Sequence, residues 1–324
     1  MAKKILITGC AGYIGDIIVR MLANENYDIV GLDNLYYGGM YLTAQFSFTF
    51  VRGDIRDYNL LDELFKKHRF DAVIHTAALV GDGACQVNPE LTRSINERAT
   101  KKIAELCKEY NSRIIFFSTC SVYGANNSLL DEDSPTNPLS LYAATKLEAE
   151  KHVKEVPNHL ILRLGTVFGF GTSRIRNDLV ANIMTIKAFR GEKLTAFGGN
   201  QWRPMIYVWD IARIACQAIS LMACGTVIVA HANYSVKEIA NEVIRQIPTE
   251  LEITDMKYED QRNYKVNINK AKQLGLIADT SLSQGIQDMK RFLESGRISD
   301  VWQTTFHNEK YLRENGTAKI NQNI

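Results

Sequence analysis

Lys3-Lys4-Ile5-Leu6-Ile7-Thr8-Gly9-Cys10-Ala11-Gly12-Tyr13-Ile14-Gly15-Asp16-Ile17-Ile18-Val19 opens the chain, and its reading decides the fold. Residues 3–8 predict a strand, and the apolar run that follows Gly15 and continues to Leu22 predicts a helix. Gly9, Gly12 and Gly15 lie in the loop between them. One glycine permits the tight turn, one lets backbone approach a diphosphate, and one allows close packing of helix on strand. The helix start then offers N–H groups and the positive end of the peptide dipole to phosphates. Asp33 ends the second predicted strand, 18 residues after Gly15. A carboxylate there accepts hydrogen bonds from the adenosine ribose and repels a 2′-phosphate, so NAD is favoured over NADP. Asn34 is grouped with it among the cofactor contacts. Asp16 stands beside the phosphate position, and must point away or be neutralised by a partner.

Working outward, near-continuous apolar runs predict further strands at 28–32, 47–51, 71–75, 113–118 and 159–164, alternating with amphipathic helices near 14–24, 58–67, 90–109 and 141–155. Such alternation implies right-handed crossovers and an α/β fold with a doubly wound parallel sheet of the Rossmann type. Helices near 177–190, 209–222, 235–246, 268–274 and 282–293 change the rhythm of the second half. The expected organisation is an NAD-binding domain over 1–165 and a smaller mixed α/β lobe over 166–307, which binds substrate and partly extends the sheet. A polar, loosely held tail is expected over 308–324.

Of the 324 residues 46% are hydrophobic and 23% charged, and the formal net charge is +2. The charges form no basic stripe, which points away from nucleic acid. No apolar run reaches membrane-spanning length, and no secretory signal precedes the first strand, so a cytoplasmic protein is expected. Cys10, Cys85, Cys107, Cys120, Cys216 and Cys224 form no Cys-x-x-Cys pair. They read as free thiols in a reducing compartment, with no metal expected.

The chemistry gathers at two places. Tyr142 and Lys146 are four apart at the start of a predicted helix and share one face. A phenol titrates near ~10 and needs a neighbouring positive charge to act as a base. The strand Ile114-Ile115-Phe116-Phe117 runs into Ser118-Thr119-Cys120-Ser121-Val122-Tyr123-Gly124, and hydroxyls at that end of a parallel strand overlie the cofactor crevice.

Together these segments resemble the extended short-chain dehydrogenase/reductases, in particular the nucleotide-sugar epimerases, dehydratases and reductases. The resemblance runs from residue 3 to about 295. It includes Thr8-Gly9-x-x-Gly12-Tyr13-Ile14-Gly15, Asp54-Ile55-Arg56-Asp57, His75-Thr76-Ala77-Ala78, Asn96, Tyr142-x-x-x-Lys146 and Arg203-Pro204…Tyr207-Val208-x-Asp210. It implies Tyr142 as the base, Lys146 on the nicotinamide ribose, and Thr119 on the substrate hydroxyl. Tyr13 and Ile14 belong to the cofactor loop, Asp54 and Ile55 to the adenine, and Ala77 and Ala78 to the nicotinamide side. Asn96 is implied as structural. Asn177, Arg174, Arg203 and Arg262 are the candidates for gripping the substrate's diphosphate and sugar, since a guanidinium fork suits phosphate. A homodimer through the helices near 90–109 and 141–155 is implied by analogy.

Relatives that eliminate water carry Asp-Glu after the threonine, whereas this chain has Cys120-Ser121. What remains is redox at one sugar carbon, C4, of a nucleoside-diphosphate sugar. A 4-epimerase is expected first, with a 4-dehydrogenase or 4-ketoreductase that releases its product as the alternative. A non-catalytic dinucleotide sensor on the same fold is the alternative of another class, and the retained Tyr–Lys pair argues against it.

Overall fold

A computed structural model describes residues 2–38, 46–172, 174–254 and 262–316. Seven parallel strands form the central sheet, in the order Gly225–Val229, His159–Leu164, Arg113–Thr119, Ala72–His75, Lys3–Thr8, Tyr27–Asp33 and Thr49–Arg52. Side chains alternate across it, as strand geometry requires. Ile5 and Ile7 face the helices Gly15–Leu22 and Val208–Ala218. Leu6, Val30, Val73 and Phe116 face the helices Tyr58–His68, Thr100–Glu109 and Leu141–Lys154. Each fully buried aliphatic side chain in these layers contributes about 1.5–3 kcal/mol. The predicted 90–109 helix is one continuous rod with a π-helical stretch at Ser94–Ala99, so that Asn96 turns inward.

The second half does two things. Gly225–Val229 and the helix Val208–Ala218 complete the sheet, while Val180–Phe189, Val236–Gln246 and Leu282–Glu294 enclose a separate core around Phe168, Met205 and Tyr207. The predicted 177–190 helix starts late, since Leu179 is extended at its N-cap. The polar stretch after 307 was expected to be loose, yet Asn308–Asn315 is a helix with Leu312 buried in the sheet's core. Residues 317–324 of that tail lie outside the described residues.

His75 ends the strand next to the glycine-loop strand and is buried. Thr100 gives its hydroxyl proton to the Asn96 carbonyl at 2.8 Å, so at 2.9 Å it can only accept from His75 Nε2. Nδ1 then accepts from the Thr8 hydroxyl at 2.6 Å. Burial, helped by the Lys146 charge, pushes this imidazole down to about 3. Between there and the unfolded value near ~6.5 the unfolded chain binds a proton that the native site refuses, so acid destabilises the fold. From pH 7 to pH 5 the expected loss from this residue is about 2 kcal/mol. His75→Gln should remove that slope in urea titrations. Parallel pH slopes for parent and variant would refute the assignment.

Candidate active site

The carboxyl ends of the central strands open into one cavity of about 860 Å³, an ample volume for a bound small molecule. Gly9 adopts φ +71°, and a Cβ there would lie 2.8 Å from the Ala77 nitrogen; a Cβ on Gly15 would lie 2.0 Å from the Gly9 carbonyl oxygen. Only hydrogen fits at either position, and the backbone forms a bare cradle at the helix start. Asp33 is half-buried at the cavity wall. Its carboxylate accepts from the backbone of Ala11 at 3.0 Å and Leu35 at 2.8 Å, which ties the strand end to the loop. Burial raises its pKa, and those two amides oppose the rise. Asp54 is buried, with its carboxylate held by Arg56 at 2.9 and 3.0 Å and by the Asn34 amide at 3.0 Å. Asp16 is neutralised by Arg20 at 2.8 Å and also accepts from Thr172. Tyr13 reaches out of the loop and donates to the Gly169 carbonyl. Ile14, Ile55, Ala77 and Ala78 line the same wall. The cradle, the acid at the second strand and this apolar wall fit NAD, which Gly9, Gly12, Gly15 and Asp33 would hold.

Ser140 caps the helix Leu141–Lys154, accepting from Ala143 at 3.2 Å, so Tyr142 lies in its first turn. Asn96 accepts from the Leu79 amide at 2.8 Å and donates to Thr145 at 3.3 Å, seating that turn against the cavity floor. The Lys146 ammonium lies 4.2 Å from the Phe116 ring centroid. Thr119 accepts from the Ser121 amide at 3.1 Å, an interaction that leaves its own O–H free to donate. Tyr142, Lys146 and Thr119 all line the cavity. Burial dominates the titration of both groups. It pushes the phenol above its ordinary value, with Cys85 and Asp82 adding to the rise, and it pushes Lys146 down to about 7 against the pull of Glu150. Cys120 is buried, donates to the Arg163 carbonyl at 3.3 Å and has its thiol pKa raised by burial, so it is a wall residue.

On the far side Arg203 is buried at the cavity, bracing itself on the Trp202 carbonyl at 2.8 Å. Arg262 pairs with Asp82 at 3.0 Å, and Asp82 also accepts from Ser140 at 2.6 Å. Arg174 lines the cavity too, but its neighbours are Tyr37 and the carboxyl-terminal segment. Asn177 is buried away from the cavity lining and donates to the Val301 carbonyl at 2.8 Å. It anchors the chain rather than facing a ligand.

Several wall residues escaped sequence reasoning. Asp82 carries no motif beyond its flanking glycines. Asp178, half-buried, is another, holding the buried Arg176 in a bidentate pair at 2.6 and 2.8 Å. His307, Asn308 and Glu309 reach the cavity from the start of the polar tail, where the adjacent pair Tyr311-Leu312 gives no helical period.

The profile of the NAD-dependent epimerase/dehydratase family matches residues 5–229. A Methanocaldococcus jannaschii protein provisionally named a UDP-glucose 4-epimerase is 32% identical over 303 residues, 90% of this chain and 98% of its own. The UDP-glucose 4-epimerase of Halalkalibacterium halodurans is 31% identical over 301 residues, 83% of this chain and 89% of its own. Among solved structures, MoeE5 in complex with UDP-glucose and NAD is similar at a TM-score of 0.77 and 26% identity, covering 90% of this chain and 99% of its own.

Proposed function

The chain belongs to the NAD-dependent epimerase/dehydratase family and is an NAD-dependent nucleotide-sugar 4-epimerase; we propose that its substrate is a UDP-hexose, inverted at C4 between the gluco and galacto forms. The observation that carries this reading is that Tyr142, Lys146, Thr119, the glycine cradle and Arg203 line one cavity, with Cys120 and Ser121 where an eliminating enzyme has two carboxylates.

When bound, NAD supplies the hydride acceptor at C4 and, while oxidised, a positive charge that favours the phenolate. Tyr142 Oη takes the proton of the C4 hydroxyl and returns it after inversion. Thr119 donates to the same sugar oxygen and orients it. Lys146, one helical turn from Tyr142 on the same face, would hold the nicotinamide ribose. Arg203 holds the diphosphate while the hexose turns. Removing that charge-assisted contact, in Arg203→Gln, should raise KM about 10-fold to 100-fold at little cost to kcat. An unchanged KM would take Arg203 out of the substrate site.

The test is to incubate the full chain with UDP-glucose and follow the anomeric proton signals by NMR. UDP-galactose appearing without net NADH is the expected result. Stoichiometric NADH with a released 4-ketose would make the protein a dehydrogenase, and inertness toward every UDP-hexose would end the reading.

The reading extends to a homodimer through the helices near 90–109 and 141–155, which light scattering of the purified protein tests; a monomer would refute it. It also extends to the cytoplasm, supported by six cysteines that are all free. No helix among the described residues is long and apolar enough to cross a membrane.

A further inference from the structure

Arg174 and Arg176 are two buried guanidinium groups on the same cavity wall, and they are not equivalent. Arg176 commits Nε and Nη2 to a fork on Asp178. Arg174 stacks 4.1 Å from the Tyr37 ring centroid and uses Nη2 on the Thr305 carbonyl at 3.1 Å and the Asn308 amide oxygen at 2.7 Å. Its Nε is buried with no partner among the described residues, and the same holds for the Tyr37 hydroxyl. A buried donor left unmade is costly. Both of these residues line the cavity.

Their position says which ligand they serve. Tyr37 lies four residues beyond Asp33, at the outlet of the strand that carries the ribose-binding acid. The loop bearing Arg174 is pressed against the glycine loop: a Cβ on Gly171 would lie 2.6 Å from the Arg174 carbonyl oxygen and 3.3 Å from that of Tyr13. Arg203 and Arg262 sit elsewhere, joined through the Arg262 carbonyl and facing Tyr264, which approaches Ser121 at 3.4 Å. The Asp33 charge acts on Arg174, whereas Tyr264 feels Arg262 and Arg203.

We infer that Arg174 Nε and the Tyr37 hydroxyl bind the diphosphate of the dinucleotide rather than that of the sugar nucleotide, and that Thr305 and Asn308 of the carboxyl-terminal segment hold the guanidinium in place for it. This rests on the reading of the cavity as an NAD site. The carboxyl-terminal helix thereby becomes part of the cofactor's enclosure: Asn308 also donates to the Val80 carbonyl at 2.8 Å, and Tyr311 packs on both Tyr36 and Tyr37. An enzyme that must return its hydride to the same sugar benefits from such a closure.

The experiment is a pair of calorimetric titrations, NAD and UDP separately, on the full chain freed of small molecules. Arg174→Met, which keeps the stacked bulk, should weaken NAD about 10-fold or more while leaving UDP within about twofold; Arg203→Gln should do the reverse. Parent-like NAD affinity in Arg174→Met, or a loss confined to UDP, overturns the inference. Should that variant fail to fold, Tyr37→Phe decides, because it removes one hydroxyl and keeps the ring. NAD weakened severalfold supports the inference and parent-like NAD affinity overturns it. UDP-hexose turnover by the parent is scored separately, so an inert protein that still shows the Arg174 pattern would fail the epimerase reading alone.

Discussion

Tyr142→Phe should lower kcat about 10³-fold, within the range for loss of a positioned general base, while NAD and UDP titrations stay within about twofold of the parent. On the proposed mechanism the phenol would meet the reacting oxygen and little else of either ligand, so its loss would belong to the transition state and not to ground-state binding. The local environment opposes a free phenolate, so the base depends on the positive charge that oxidised NAD would bring. Burial holds the phenol above its ordinary pKa, with Cys85 and Asp82 adding to the rise. Steady-state kinetics with UDP-glucose measure the split. A variant that kept normal kcat would leave Tyr142 without a catalytic role, and one that lost NAD would make it a binding residue.

The second large effect is on stability. Glu150→Ala should cost about 3–5 kcal/mol, the penalty for stranding one partner of a buried ion pair. Glu150 is fully buried on the helix that carries Tyr142 and Lys146. It accepts from Arg163 Nε at 3.0 Å, Arg163 Nη2 at 2.7 Å and Ser118 at 2.5 Å. Arg163 in turn donates to Tyr123 at 2.7 Å. The helix is therefore bolted to two neighbouring strands by one carboxylate. Urea denaturation measures the loss. A double replacement, Glu150→Leu with Arg163→Met, should recover most of it, because the Arg163 charge is then no longer left stranded. Equal urea midpoints for Glu150→Ala and the parent would mean that the network contributes nothing to seating the helix.

What could be read in the amino-acid order was whatever local sterics or spacing dictate. The glycine loop was legible because Gly9 and Gly15 are demanded by atoms within the loop and its adjoining strands. Tyr142 and Lys146 were legible because a helix puts positions four apart on one face. The side of the cavity that Arg174 faces was not, since it depends on Tyr37 and Asn308, 137 and 134 residues away in the chain. Asn177 resembled a ligand contact by position, but its partner is Val301, another distant choice. The carboxyl-terminal helix was missed because two adjacent apolar residues give no periodic signal. The burial that raises the phenol's pKa was not legible, because spacing reveals a neighbouring charge but not its depth.

The Tyr13 contact carries a thermodynamic consequence. The glycine loop is fastened to the second half of the chain through the Gly169 carbonyl, which accepts from the Asn182 side chain at 2.9 Å, while the Gly169 amide donates to Asn182 at 2.8 Å. Asp16 adds a second fastening through Thr172. A ligand that stiffens one wall stiffens the other, so the two binding equilibria share a coupling free energy. Reciprocity then fixes the bookkeeping: whatever factor NAD contributes to UDP affinity, UDP must contribute to NAD affinity.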